Sequence, residues 1–268
     1  MFKKRKSGIQ IKSTEQLEGM RAAGLVVGRT LERLAESVKP GITTADLDQI
    51  AEDFIRSSGA TPSFKGYLGF PASICASVNE EIVHGIPRPA KVLQEGDVIS
   101  IDCGAIVDGW HGDAALTVPV GEITPDLRRL LEVCEDALWR GLAAGREGSR
   151  LTDISHAIET YVRAQGSYGI VEEYVGHGIG TEMHMDPPVP NYGKPGHGPV
   201  LERGMCFAVE PMVNLGTRET LLLEDEWTVI TKDGRPSAHF EHSFAVTEDG
   251  PWVLTALDGG AERLGSNR

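Results

Sequence analysis

Two histidines, His177 and His184, lie in a stretch rich in glycine and proline, YVGHGIGTEMHMDPPVPNY (174–192). Glycine and proline at this density disfavour a long helix. Glycines on both sides of His177 leave the backbone open to close approach by another group. A single histidine in such a place is commonly a packed or solvated residue. It becomes a candidate metal ligand only if acidic side chains from elsewhere in the chain join it.

Two acidic residues, Asp102 and Glu210, lie in apolar, strand-like segments, VISIDCGA and CFAVEPMV. An unpaired buried carboxylate is costly, so each must be protonated, paired with a base or bound to a metal. These segments contain almost no Lys or Arg. The sequence therefore favours a metal site over a buried salt bridge, and the salt bridge remains the alternative.

The elements that must position these residues occur twice. GITTADLDQIAEDFIRSSG (41–59) aligns without gaps with GSRLTDISHAIETYVRAQG (148–166). VLQEGDVISID (92–102) aligns with VLERGMCFAVE (200–210), and HGDAALTV (111–118) aligns with HFEHSFAV (239–246). These alignments set Asp102 on Glu210 and Asp113 on Glu241. We therefore predict an α+β fold of two similar halves, paired about a pseudo-two-fold axis, with related residues of both halves lining a site between them.

Each half is predicted to start with two helices and to continue into strands. A capping box at Ser13 and Gln16 predicts the start of the first helix, and Thr124-Pro125 predicts the start of the third. Apolar spacing predicts the second helix from Thr43 or Thr44 to Gly59 and the fourth over 152–165. In the first half, strands are predicted over 73–78, 98–106 and 114–120.

The dipeptide Asp108-Gly109 is a strong hairpin-turn signal and would return Asp113 close to Asp102 on neighbouring strands. Four carboxylates and the imidazole of His177 form a ligand set for two divalent ions. Oxygen ligands with a single nitrogen suit manganese, iron, cobalt or zinc. Two close cations lower the pKa of a shared water molecule, so such a site would favour hydrolysis.

Composition limits the partners and the compartment. The formal charge of −13 disfavours nucleic acid as the main partner. The four cysteines form no CxxC pair, which indicates a reducing, cytoplasmic environment. The basic start MFKKRKSG is followed by no apolar run, so neither a secretory signal nor a membrane span is predicted. Its KKRK cluster is expected to be a solvated tail, and contact with the ribosome is left open.

Several segments resemble, in the right order, those of the type I methionine aminopeptidases. YVGHGIGTEMHMDPPVPNY resembles their signature, and VNEEIVHGIP (78–87) resembles a second catalytic segment. ISIDCGAIVDGWHGDAALT (99–117), FAVEPMV (207–213) and HFEHSFAV resemble the metal-ligand segments. The likeness extends from about Ser13 to Leu254. It implies the pita-bread fold, an α+β fold in which helices cover an antiparallel sheet of two pseudo-symmetric halves.

The resemblance also implies a role for each candidate ligand. Asp102 would bind one of two divalent ions, and His177 and Glu210 would bind the other. Asp113 and Glu241 would bridge the two ions. Glu210 would in addition be catalytic, as a relay for the proton of the attacking water.

Two more histidines and a pocket follow from the resemblance. His184 would donate a hydrogen bond to the oxyanion that develops at the scissile carbonyl, and His84 would contact and position the substrate backbone. Met183 stands where many relatives have an aromatic residue, so the pocket rim is expected to differ in shape. The residues matched to the methionine pocket would form an apolar, sulfur-tolerant cup and are Tyr67, Phe70, Cys75 and Trp227.

The implied function is metal-dependent hydrolytic removal of the initiator methionine from nascent chains, with preference for a small second residue. We expect a cytoplasmic monomer. The alternatives are a prolidase or Xaa-Pro aminopeptidase of the same fold, and a binding protein of that fold without catalysis. A nucleotide-binding site at residues 176–180 is disfavoured, because the GxGxxG spacing is not met.

The predicted organisation has one catalytic domain between two tails. Residues 1–12 are predicted to form a basic flexible tail, and residues 256–268 a C-terminal tail. The domain covers residues 13–255, with its two repeats at about 13–120 and 124–255.

Overall fold

The computed structural model describes residues 8–265. Long helices and short strands alternate along the chain. The helices are α1 (Thr14–Ser37), α2 (Thr44–Ser57), α3 (Pro125–Ala144), α4 (Leu151–Gln165) and the short α5 (Ala261–Leu264). The strands are β1 (Thr61–Pro62), β2 (Ile74–Val78), β3 (Glu81–Val83), β4 (Val98–Val107), β5 (Trp110–Pro119), β6 (Gly169–Ile170), β7 (Gly176–Gly178), β8 (Met185–Val189), β9 (Cys206–Val209), β10 (Met212–Asn214), β11 (Thr220–Leu222), β12 (Val229–Thr231), β13 (Ser237–His239), β14 (Glu241–Thr247) and β15 (Gly250–Val253).

The helices begin where local capping signals place them. The Ser13 hydroxyl accepts the N–H of Gln16, whose side-chain oxygen accepts the N–H of Ser13 in return. Thr43 and Thr124 cap α2 and α3 with their side chains. These reciprocal bonds satisfy N–H groups that have no partner within a helix. The four predicted long helices are thus confirmed to within one or two residues at their starts.

The large sheet is antiparallel, and its four inner strands are arranged symmetrically about its centre. Its strands follow the order β1-β4-β5-β14-β9-β7-β8, with β2 also pairing with β4 and β15 with β14. The central pair is β5 with β14, flanked by β4 on one side and β9 on the other. The segments that align in the sequence therefore occupy equivalent places on the two sides. Two three-stranded sheets, β13-β10-β6 and β11-β12-β3, complete the strand pairing of the described chain.

The predicted hairpin is confirmed between β4 and β5. Asp108 and Gly109 have φ angles of 49° and 81°, the positive values that a tight two-residue hairpin turn of this type requires at both positions. Strand β5 starts at Trp110, four residues before the predicted start at Ala114. It starts earlier because it continues directly out of the turn at Asp108-Gly109.

Each half has its own apolar core between its helices and the sheet. One buried cluster joins α1 and α2 to β2, β4 and β5. Another joins α3 and α4 to β9 and β14. Within residues 8–265, none of the helices combines the length and apolar character needed to cross a bilayer.

The chain ends pack on this framework where they are described. Lys12 is buried, and its backbone N–H donates to the carbonyl of Gly204. The guanidinium of Arg21 donates to the carbonyls of Leu254 and Ala256. Residues 1–7, with the KKRK cluster, and residues 266–268 lie outside the described residues. The domain boundaries given above stay a prediction.

Candidate active site

Five consecutive strands of the large sheet carry the predicted ligand residues into one cavity. Four of these residues lie on β4, β5, β14 and β7, and the fifth directly follows β9. In that order they are Asp102, Asp113, Glu241, His177 and Glu210. All five line a single cavity of about 360 Å³.

The side chains of this group are close enough to share a cation. Ligand atoms of Asp113, His177 and Glu241 all lie within 4.8 Å of one another. His177 Nε2 is 3.7 Å from Glu210 Oε1 and 3.9 Å from Asp113 Oδ2. Asp102 and Asp113 share a hydrogen bond between their side chains. The structure thus brings the five residues together, and their individual roles as ligands stay a prediction.

Burial disfavours ionisation of all four acids, and mutual repulsion adds to this effect for three of them. Burial raises the pKa of Asp102 to about 7. It also raises the pKa of Asp113, Glu210 and Glu241 well above the usual range, and the neighbouring carboxylates add to the shift. Burial lowers the pKa of His177 to about 3, with His184 contributing. The imidazole of His177 is therefore neutral, which is the form that binds a metal.

The donor set fits divalent cations better than it fits a salt bridge. Among residues 8–265, the ion-pair partners of these acids are histidines rather than Lys or Arg. Asp102, Asp113 and Glu241 each keep one buried carboxylate oxygen without a hydrogen-bond partner in the described chain. Unsatisfied buried oxygens are rare and costly. Bound cations would satisfy them, and the mixture of oxygen and nitrogen donors suits the transition metals predicted above.

The two other predicted histidines stand at the edge of this group. The ring centroids of His184 and His177 are 4.3 Å apart. His184 Nδ1 is 3.0 Å from the Tyr67 hydroxyl oxygen. His84 is held in a left-handed backbone conformation, φ 60°, and its ring meets Tyr174 and Trp227 edge to face. Both His84 and His184 line the cavity.

An apolar cup forms the other side of the cavity. All four residues predicted for the methionine pocket line it, namely Tyr67, Phe70, Cys75 and Trp227. Phe70 and Trp227 pack edge to face, with ring centroids 5.0 Å apart. Met183 is buried in the same cluster. The structure therefore places its thioether inside the cup as well as next to His184.

Three residues at the site escaped sequence reasoning. Phe64 and Leu68 line the cavity but lie in a turn-rich stretch without a periodic pattern. His239 is buried beside Glu210 and Glu241. No signal in the sequence marks it, because His239 ends β13 and Glu241 begins β14, which belong to different sheets.

The sequence comparisons place the chain in a class. The model of metallopeptidase family M24 matches residues 18–248. The chain belongs to this family, whose members are metal-dependent peptidases.

Comparison with individual proteins shows which peptidases of the family the chain resembles. The chain is 54% identical to the methionine aminopeptidase of Clostridium acetobutylicum over 250 residues, which cover 93% of this chain and 100% of that protein. The crystal structure of methionine aminopeptidase from Thermotoga maritima superposes with a TM-score of 0.91 at 41% identity, covering 93% and 100% of the two chains. A prolidase from Pyrococcus furiosus, at 22% identity and a TM-score of 0.74, shares the fold over 91% of this chain and 65% of its own. The predicted pita-bread fold is confirmed.

Proposed function

We propose that this chain hydrolyses the peptide bond after an N-terminal methionine. The observation that supports the proposal best is the cavity itself. One of its walls carries the four acids and His177, and the other is the apolar cup around Phe70, Cys75 and Trp227. An unbranched thioether fits such a soft apolar surface. A bound methionyl side chain would hold its own scissile bond near the acidic group.

The chain's residues supply the binding and orientation that this reaction needs. The four carboxylates and His177 would hold two divalent ions. When bound, the ions would polarise the scissile carbonyl and supply a nucleophilic water. Glu210 is proposed to accept the proton of the attacking water and pass it on.

His184 and His84 are proposed to act on the substrate directly. The Tyr67 hydroxyl engages Nδ1 of His184, which leaves Nε2 to donate a hydrogen bond to the oxyanion as it develops. Burial lowers the pKa of His84 to about 4. His84 is therefore neutral at physiological pH and can hydrogen-bond the substrate backbone without adding a charge.

We further propose newly made polypeptides as substrates and the cytoplasm as the site of action, with the chain acting as a monomer. The identity of 54% with a methionine aminopeptidase supports the first point. Contact with the ribosome is a hypothesis that concerns only the KKRK cluster, which lies outside the described residues.

Methionine release from a Met-Ala-Ser peptide tests the function. Chelator-stripped protein should be inactive and should regain activity when manganese, cobalt, iron(II) or zinc is titrated separately. His177→Ala should lose roughly a thousandfold in rate, since metal ions contribute several kcal/mol of transition-state stabilisation. The matched control is His156→Ala, because His156 is exposed on α4.

Two outcomes would contradict the proposal. Release of alanine from Ala-Pro peptides, with none of methionine from Met-Ala-Ser, would favour the prolidase alternative. Failure of every metal to restore activity in a folded protein would favour a binding protein of the same fold.

A further inference from the structure

His239, the last residue of β13, has a buried imidazole nitrogen that faces the carboxylates of the site. The residue is 1% exposed. Its Nε2 has no hydrogen-bond partner among residues 8–265. This atom is 3.9 Å from Glu210 Oε2 and 4.0 Å from Glu241 Oε2. An unsatisfied buried nitrogen next to two acids calls for an explanation.

The backbone of His239 is fixed so that the ring stays in this place. The Thr117 hydroxyl accepts the N–H of His239 at 2.9 Å and donates to its carbonyl at 2.8 Å. The Ser100 hydroxyl is 2.8 Å from that of Thr117, and Met212 pairs with His239 across β10. These contacts link β13 to β4, β5 and β10. The backbone of His239 therefore cannot move away from the site without breaking bonds to several strands.

The carboxylate of Glu210 lies between two imidazoles. His177 Nε2 is nearest to its Oε1, and His239 Nε2 is nearest to its Oε2. His111, which the internal alignment sets on His239, instead has Nδ1 3.2 Å from the Ser63 hydroxyl. Of these two aligned histidines, only His239, in the second half of the chain, therefore faces the acids.

We propose that His239 is a positioning residue of the metal site. In the metal-loaded protein its Nε2–H would close the present gaps of 3.9 and 4.0 Å, donate to the carboxylate of Glu210 or Glu241, and hold that carboxylate in the orientation that binds the ions. The inference rests on the proposed metal-dependent function. It adds a residue that orients the ligands from behind, in the way that groups hydrogen-bonded to metal ligands fix their direction.

Metal affinity, measured without substrate, tests the proposal. Chelator-stripped protein is titrated calorimetrically with manganese. We expect His239→Leu to weaken binding roughly 10- to 100-fold, the usual effect of removing a group that orients a ligand. His239→Gln should retain most of the affinity, because its amide N–H can occupy nearly the position of Nε2.

His242→Leu is the matched control. His242 follows Glu241 on β14 and is also largely enclosed, but its Nδ1 bonds the Thr255 hydroxyl and its ring packs on Trp139. This variant should keep the metal affinity of the unchanged protein. It should lose some stability, because the Thr255 hydroxyl keeps the N–H of Ser243 as a partner but loses the imidazole.

The stability of the metal-free variants distinguishes a positioning role of His239 from a purely structural role. His239→Leu removes an unsatisfied nitrogen, so the urea midpoint of the metal-free protein should stay the same or rise. A lowered midpoint with unchanged metal affinity would overturn the proposal. Equal weakening in His239→Gln and His239→Leu would also overturn it, because the ring nitrogen would then bind the metal itself. If the unchanged protein binds no metal, the proposed function fails, whereas normal binding by every variant rejects only the role of His239.

Discussion

The four buried acids must change protonation state when cations enter the site. Without cations, burial raises the pKa of each carboxyl group, and repulsion from neighbouring carboxylates adds to the shift for Asp113, Glu210 and Glu241. Metal binding requires the ionised form and releases protons. The same side chains that create the site therefore destabilise the metal-free protein whenever the pH forces them to ionise.

This conflict predicts a pH dependence for the metal-free protein. The pKa of Asp102, raised by burial to about 7, lies above its value near 4 in the unfolded chain. Between these values the native state binds more protons, so the stability that the protonated group contributes is lost as the pH rises through this window. The urea midpoint of chelator-treated protein should fall from about pH 5 to about pH 8. Asp102→Asn should reduce the fall, and an equal fall in both proteins would contradict the argument.

The site residues differ in how clearly the sequence identifies them as candidates. Asp102 and Glu210 stand out because carboxylates are unusual within apolar strands. Phe64 and Leu68 give no such signal, since apolar residues in a turn-rich stretch carry no period that assigns them to a face. His239 has no contrast with its neighbours in HFEH, and the consequence of its position appears only once β10, β13 and β14 are folded together.

Strand β7 and the loop that follows it carry His177 and His184, and this segment is held by separate parts of the chain. Lys12 Nζ donates to the carbonyl of Ile179 at 2.6 Å. The N–H of Ile179 donates to the carbonyl of Cys206, and the N–H of His111 donates to the carbonyl of Gly180. Burial lowers the pKa of Lys12, so this ammonium group is retained at some cost. The segment before α1 thereby helps to fix the geometry of the site.

Lys12→Met should therefore affect both stability and catalysis. The carbonyl of Ile179 would lose its donor, which costs about 1–3 kcal/mol when the group stays buried. We expect a lower urea midpoint and slower methionine release, because the segment bearing His177 and His184 is less fixed. Lys39→Met, at an exposed position after α1, should change stability by less than about 0.5 kcal/mol. Matching behaviour of the two variants would refute the role given to Lys12.

The sequence predicts helix starts and tight turns well, because these depend on neighbouring residues. It does not predict which strands distant in the sequence pair with each other. Capping residues at Ser13, Thr43 and Thr124 predict three helix starts, because a cap acts on backbone groups within four residues. The Asp108-Gly109 turn predicts the β4–β5 hairpin for the same reason. The pairing of β12 with β3 joins residues near 229 to residues near 83, and no local pattern specifies it.

The molecule as a whole presents a small cavity with a partly apolar mouth. Its volume of about 360 Å³ is near the lower end of the range for small-molecule pockets. Leu68, 81% exposed with φ 49°, lines the cavity and projects toward solvent. A bulky residue after the methionine would have to fit beside this rim.

Substrate selection should follow from this shape. We expect kcat/KM for Met-Gly peptides to exceed that for Met-Leu peptides by at least about tenfold, since pocket fit is commonly worth 1–3 kcal/mol. Competition between the two peptides in one reaction measures the ratio directly. Similar rates would show that the cavity does not limit the second residue.

The symmetric order of the sheet has an evolutionary consequence. Asp102 and Asp113 come from one half, and Glu210 and Glu241 occupy the matching places in the other, across the central pair of β5 and β14. An ancestral gene encoding a single half would have formed such a site only where two copies of its product met. On this view, fusion of the two copies freed each half to diverge. A histidine aimed at the acids from one half alone is the kind of asymmetry that a homodimer could not have evolved.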